Sequence, residues 1–272
     1  MNFNQKLENV TQKNNSLLCI GLDTDLEKIP KHLLKENDPI FSFNKVIIDS
    51  TFDLVCSYKP NIAFYEAYGE KGHKSLKKTI EYIQKKHPEI PIILDAKRAD
   101  IANTSKMYAR AVFDYFGADA VTVYPYLGLD AIKPFLNYKN KLTILLIKTS
   151  NPDSGVFQNL KVGNSNLPLY LTMANEIKKW NFPNIGLFVG ATYPEELGNV
   201  RKIFPTISIL TAGIGAQNAQ TQKTIKAGVD SLGNNLICNN SREIIYADSG
   251  EHFAKKVRIK AKDIRNVINM YR

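Results

Sequence analysis

The chain has 272 residues, 44% hydrophobic and 23% charged, with 36 Lys+Arg against 26 Asp+Glu and a formal net charge of +10. That is the balance of an ordinary globular protein, and the length fits one barrel-sized domain or two small ones. No apolar run reaches the ~18 residues that span a bilayer, and the first fifteen residues lack the apolar centre of a secretory signal; the expectation is a cytoplasmic protein with no membrane partner.

In chain order, a leading helix is predicted over 2–15, filling the segment 1–16. A strand, LLCIGLD (17–23), ends in Asp23, and a helix follows near 39–52. DLVCSYKPN (53–61) reads as a second strand ending in Lys59 and Asn61. A basic amphipathic helix over 73–87 is closed by Pro88 and Pro91. The third strand, Ile92 to Leu94, runs into Asp95, Lys97, Arg98 and Asp100, and its helix over 103–116 stops at Gly117. ADAVTVYP (118–125) is a fourth strand with a short helix near 129–137. LTILLIKTS (142–150) is a fifth, ending in Thr149 and Ser150.

A polar stretch, 151–166, follows. Loops of that length are uncommon in compact domains unless they serve a function, which makes it a candidate active-site lid. Helix 168–181, strand 184–191, helix 194–202, strand 206–214, helix 217–227, strand 231–238 and a basic helix over 251–271 complete the pattern. Eight apolar strand–helix repeats without a linker specify an α/β protein, a single (β/α)8 TIM barrel over 1–272. An open doubly wound sheet is the alternative, which eight equal repeats disfavour.

In such a barrel, chemistry collects at the C-terminal strand ends. Asp23, Lys59, Asn61, Asp95, Lys97, Thr149 and Ser150 fall there. A strand alternates its side chains, so Asp95 and Lys97 are expected on one side, and burying them costs energy unless they are paired or used. Asp100 and Thr104 are expected on one face of the helix that follows. A D-x-K-x-x-D string can also be a surface salt-bridge cluster or a helix cap. Its place at the exit of an apolar strand puts a site on an equal footing with those readings, and the rest of the chain decides. After strands seven and eight, Gly213, Gly215, Gln217 and Arg242 fit a phosphate site: glycines admit backbone N–H groups and Arg binds two oxygens at once.

The remaining side chains exclude several classes. Cys19, Cys56 and Cys238 lie in apolar runs and read as buried thiols. His32, His73, His87 and His252 avoid the strand exits, and no metal-ligand spacing is present, so no metal and no covalent nucleophile is expected. The lysine pairs, such as Lys77 with Lys78 and Lys255 with Lys256, are not interleaved with stacking aromatics, which argues against a nucleic-acid partner.

LDAKRADIANT (94–104), with KPNIAFYEAYG (59–69), LIKTSNP (146–152), VGATYPEEL (189–197), AGIGAQ (212–217) and NNSREIIYA (239–247), resembles orotidine 5′-phosphate decarboxylase over essentially the whole chain. It departs from that pattern at Ala99, Ala212 and Glu243. The resemblance implies cofactor-free decarboxylation of orotidine 5′-monophosphate to UMP in pyrimidine biosynthesis. It further implies that Asp23 and Lys59 contact the ribose beside Asn61, and that Asp95 faces the substrate carboxylate. Lys97 would protonate C6, and Thr149 and Ser150 would bind the pyrimidine. Gly213, Gly215, Gln217 and Arg242 would hold the phosphate. Asp100, Ile101 and Thr104 would serve a site shared across a homodimer. The rival readings are a metal-dependent sugar-phosphate decarboxylase or aldolase of the same superfamily, and a non-catalytic barrel that binds phosphorylated ligands.

Overall fold

The structure, a computed structural model, describes residues 1–215 and 219–272. Eight parallel strands form the centre: β1 (Leu18–Gly21), β2 (Ser57–Lys59), β3 (Ile93–Arg98), β4 (Ala120–Val123), β5 (Leu142–Lys148), β6 (Ile185–Val189), β7 (Ile209–Ala212) and β8 (Leu236–Asn240). Each pairs with its sequence neighbours, and β1 pairs with β8. Between β2 and β3 the ring closes through two parallel bridges, Tyr58↔Ile92 and Asn61↔Asp95. The fold is therefore the (β/α)8 barrel. The strands are apolar on both faces because the barrel interior packs one face and the helices pack the other.

Helices α1 (Phe3–Asn14), α2 (Pro39–Thr51), α3 (Gly69–Lys86), α4 (Ala102–Arg110), α5 (Leu129–Leu136), α6 (Leu169–Trp180), α7 (Pro194–Ile203), α8 (Ala219–Gly228) and α9 (Phe253–Tyr271) surround it. A capping box between Asn2 and Gln5 starts α1. Leu76, Ile80 and Ile83 bury one stripe of α3 while its lysines stay outside. After α4 the chain widens into a π-helical turn, Ala111–Phe116, and stops at Gly117 with φ +80°. The three cysteines are buried and unpaired.

Several boundaries differ from the sequence reading, and each difference has a local cause. The second strand starts at Ser57 because residues 53–55 still belong to the turn after α2, where Leu54 N–H reaches back to Thr51 O at 2.8 Å. The eighth starts at Leu236, because Asp230 accepts the N–H groups of Leu232 and Asn234 and folds 230–235 into a turn. The stretch 151–166 is structured: a 3-10 turn (Pro152–Ser154), a helical turn (Gly155–Gln158) and a short antiparallel pairing of Lys161–Val162 with Leu167–Pro168.

Candidate active site

The barrel's C-terminal mouth gathers Lys59, Asp95 and Lys97 into one charge array. Asp95 lies in β3, is 8% exposed, and has both carboxylate oxygens engaged. Oδ2 accepts from Lys59 Nζ at 2.8 Å; Oδ1 accepts from Lys97 Nζ at 2.7 Å and from Thr122 Oγ1 at 2.8 Å. Burial pushes the Asp95 carboxyl up, but the two ammonium groups outweigh it and hold it well below the ordinary carboxylate range. Burial also works against the Lys59 charge; Asp95 and then Asp23 overcome it, and Lys59 is held above the ordinary lysine value. Both groups are therefore charged across the neutral range.

Lys97 reaches Asp95 by an unexpected route. Simple alternation would put the two on one side of a regular strand, yet the β3–β4 register shifts between Leu94 and Arg98, and Lys97 has φ +47°. A lysine held in the left-handed region stores ~1–3 kcal/mol of strain. Thr122, on the neighbouring strand, fixes the distortion by accepting the Lys97 N–H at 3.1 Å while donating to Asp95. The Lys97 side chain is 39% exposed, so its ammonium meets both the buried carboxylate and the open mouth.

Around this array stand the other predicted groups. Asp23 follows β1; its Oδ1 is buried and has no hydrogen-bond partner among the described residues. Tyr246 pins its backbone, accepting from Asp25 N–H and donating to Asp23 O at 2.8 Å each. Asn61 bridges to Asp95 through the backbone, and its Oδ1 accepts from Ala63 N–H.

Asp100 is not part of α4, which starts at Ala102. The Asp100 carboxylate caps Ile101 N–H at 2.7 Å and its backbone exchanges two hydrogen bonds with Ser105 Oγ, so it shares no helix face with Thr104. Among the described residues no hydrogen bond or ion pair joins Asp100, Ile101 or Thr104 to the array, and Ile101 is 69% exposed.

On the opposite rim, both polar groups of Thr149 are occupied by the chain itself. Its N–H donates to Gln158 Oε1 at 3.0 Å; its hydroxyl accepts from Gln158 Nε2 at 2.8 Å and donates to Asn151 Oδ1 at 2.7 Å. Ser150 is exposed, with neither group hydrogen-bonded among the described residues.

At the end of β7, Gly213 has φ +99°, where a side chain would be strained, whereas a Cβ on Gly215 would meet only Glu243 Oε2 at 3.7 Å. The conformational demand thus falls on Gly213. Asn240 Nδ2 ties this loop by donating to Ile214 O at 2.5 Å and to Glu243 Oε2 at 3.0 Å. Glu243, the acid beside this site, is paired with Lys260 at 2.8 Å. Arg242 is exposed and forms no ion pair among the described residues. Gln217 lies outside the described residues.

The sequence reading missed Thr122, Lys148, Gln158 and Asn240. Thr122 and Lys148 each left a signal: a polar residue in an otherwise apolar strand, AVTV and LTILLIK. Gln158 and Asn240 left none, because their partners are backbone groups or residues brought near only by the fold.

Comparison with known proteins gives one answer. A family model described as "Orotidine 5'-phosphate decarboxylase / HUMPS family" matches residues 16–257. The orotidine 5'-phosphate decarboxylase of Thermomicrobium roseum is 45% identical over 100% of this chain and 96% of its own length. The solved structure of Leishmania donovani OMP decarboxylase superposes with a TM-score of 0.81 at 35% identity, covering 98% of this chain and 99% of that one. Leishmania donovani UMP synthase gives a TM-score of 0.83 at 36% identity over 97% of this chain, which spans 57% of that longer protein. With the family model covering most of the barrel and the identity running end to end, the chain belongs to the orotidine 5'-phosphate decarboxylase / HUMPS family.

Proposed function

We propose that this protein decarboxylates orotidine 5′-monophosphate to UMP, with Lys97 stabilising the charge that develops at C6 and then protonating it. The observation that carries this reading is Lys97 itself, a cation held against a buried carboxylate and still open to the mouth. Loss of CO2 leaves an electron pair in the plane of the pyrimidine ring, where the π system cannot absorb it. Fixed charge must do so instead, and a proton must follow. Asp95 holds the Lys97 ammonium in place through its 2.7 Å contact, and lies against the departing carboxylate.

One ammonium does not suffice. A unit pair at ~4 Å and an effective dielectric of ~20 supplies about 4 kcal/mol, against the roughly 8–23 kcal/mol of barrier lowering that enzymes achieve. Binding energy from the rest of the substrate supplies the remainder. The unpaired Asp23 Oδ1, with Lys59 beside it, suits the ribose hydroxyls. Gly213, Gly215, Gln217 and Arg242 suit the phosphate. The segment 151–166, whose Val156 and Phe157 are 61% and 70% exposed, suits a lid that gains burial on closing. Exposed Ile101 and Met107 after β3, with Tyr126 and Leu127 after β4, suit a homodimer face that brings Asp100, Ile101 and Thr104 to a neighbour's site.

The metal-dependent alternative fits poorly, because Lys59 occupies the end of β2 and would repel a divalent cation. Spectrophotometric assay of the purified protein on orotidine monophosphate tests the proposal. Full activity is expected in excess EDTA, and Lys97→Ala should lose at least ~10³-fold in kcat. Activity surviving in Lys97→Ala, or lost to the chelator, would overturn the reading. A substrate lacking the phosphate should lose kcat/KM; an unchanged value would remove the lid.

A further inference from the structure

We propose that Lys148 is a positioning residue for this reaction: its buried ammonium anchors Asn159, and with it the Gln158 amide that holds Thr149, so that Ser150 meets the pyrimidine at a fixed place. This rests on the function proposed above. Lys148 is the last residue of β5 and has no exposed surface. The register against β6 shifts between Leu146 and Lys148, placing Lys148 opposite Val189. Because Val189 lies one position beyond Phe188, the partner of Leu146, two residues of β5 span one step of β6, a bulge of the kind that re-aims a side chain, and the Lys148 ammonium meets the 151–159 segment. There its Nζ donates to Asn159 Oδ1 at 2.9 Å and sits 4.6 Å from the centre of the Tyr193 ring. Among the described residues no carboxylate lies within ion-pair distance of it.

A buried cation compensated by an amide oxygen and a ring face is costly. A methionine of similar length would fill the same space without charge. Stability therefore does not account for the lysine, but its geometry does. Three segments meet on it. The first is the β5 exit, where Gly190 N–H also donates to Lys148 O at 2.9 Å. The second is the helical turn that carries Gln158 and Asn159. The third is the β6 exit, where Tyr193 shares a hydrogen bond with Ser154 at 3.1 Å.

Gln158 then grips the N–H and the hydroxyl of Thr149, whose proton goes to Asn151, so both donors of Thr149 are taken within the chain. Ser150 is the adjacent residue with both groups unengaged: its N–H matches a ring carbonyl and its hydroxyl a ring N–H. Its backbone has little room to drift, since a Cβ on Gly190 would already lie 2.8 Å from Ser150 Cβ and 2.9 Å from its N.

The test uses the full chain and two ligands, UMP and ribose 5-phosphate, which lacks the base. Lys148→Met should keep or raise Tm. It should weaken UMP binding, and lower kcat/KM for orotidine monophosphate, by about ten- to a hundredfold, because misplacing a contact by about 1 Å costs that much. Ribose 5-phosphate affinity should stay within about twofold. Gln158→Ala should show the same selectivity. Equal losses for both ligands, a lowered Tm, or unchanged UMP binding in Lys148→Met would overturn the proposal. So would tighter UMP binding in Gln158→Ala, which would make that amide a competitor of the base. Absence of wild-type turnover would instead sink the assigned reaction, and is read before any variant is made.

Discussion

Lys59 and Lys148 end two strands of one barrel at the same mouth, and both are buried, at 3% and 0% exposure. Their surroundings are opposite. Lys59 faces the fully engaged carboxylate of Asp95, which also holds Lys97. Lys148 faces a neutral amide and an aromatic ring. On the β2–β3 side, charge meets opposite charge and neither group can be removed without stranding the other. On the β5–β6 side, the cation has no counter-charge to strand. The difference separates two ways a barrel can hold a substrate: a rigid electrostatic wall, and a hydrogen-bonded rim assembled from loops.

The largest expected effect tests that separation directly. Asp95→Ala leaves two ammonium groups without their carboxylate, one of them buried, and should destabilise the fold by about 3–5 kcal/mol in urea unfolding. Lys148→Met should be neutral or stabilising in the same experiment. Effects of the same sign and size would erase the distinction. Acid sharpens it further. Asp95 has its pKa depressed on folding, so its contribution is full above the ordinary carboxylate value near ~4 and is lost as pH falls through the folded value. Lys59 has its pKa raised, so its contribution is full below ~10.4 and is lost only as pH rises through the folded value. The pair thus holds across the whole neutral range. Asp95→Asn should flatten stability against pH below ~4, where the wild type declines.

The next effect concerns Thr122, which accepts from Lys97 N–H and donates to Asp95. Thr122→Val keeps the shape and removes both bonds. The expected loss is about 1.5–3 kcal/mol, typical of a hydrogen bond to a charged group. The loss of turnover should exceed what the stability change explains, since the strained Lys97 backbone then lacks its brace. Unfolding midpoints and kcat measured together check this.

How far these two regions could be read from the sequence differs for the same physical reason. The electrostatic wall was legible because charges at the ends of apolar strands are conspicuous: Asp23, Lys59, Asp95 and Lys97 all converge where eight strand–helix repeats say they should. What alternation could not give was the route, since the positive φ at Lys97 is imposed by tertiary pairing with β4. The rim was legible only in outline: Thr149, Ser150 and 151–166 are marked at a strand exit, without the contacts that hold them. The 151–166 stretch reads as a polar loop and candidate lid; its turns are local backbone hydrogen bonds, and the side-chain contacts that tie it to Lys148, Thr149 and Tyr193 appear only in the fold. Lys148 shows in the sequence only as a polar residue closing an apolar strand; whether such a lysine is buried or snorkels to solvent is decided by the neighbours packed over it.

The smallest expected effect is at Tyr193, and it bears most closely on the comparison. Tyr193→Phe keeps the ring near Lys148 Nζ and loses only the hydrogen bond to Ser154, which should cost about 0.5–1.5 kcal/mol. Tyr193→Leu also removes the ring face, adding ~0.5–2 kcal/mol of cation–π attraction. That second loss should vanish in a Lys148→Met background, where no cation remains to be attracted. A double-mutant cycle of Tyr193→Leu with Lys148→Met therefore isolates it as a coupling energy. Coupling of about 1 kcal/mol would mark the ring as a modest partner, leaving Lys148 a cation kept for what it anchors. Coupling of ~3 kcal/mol or more would place the ring in the same class as Asp95, and the two buried lysines would then be stabilised by partners of equal strength.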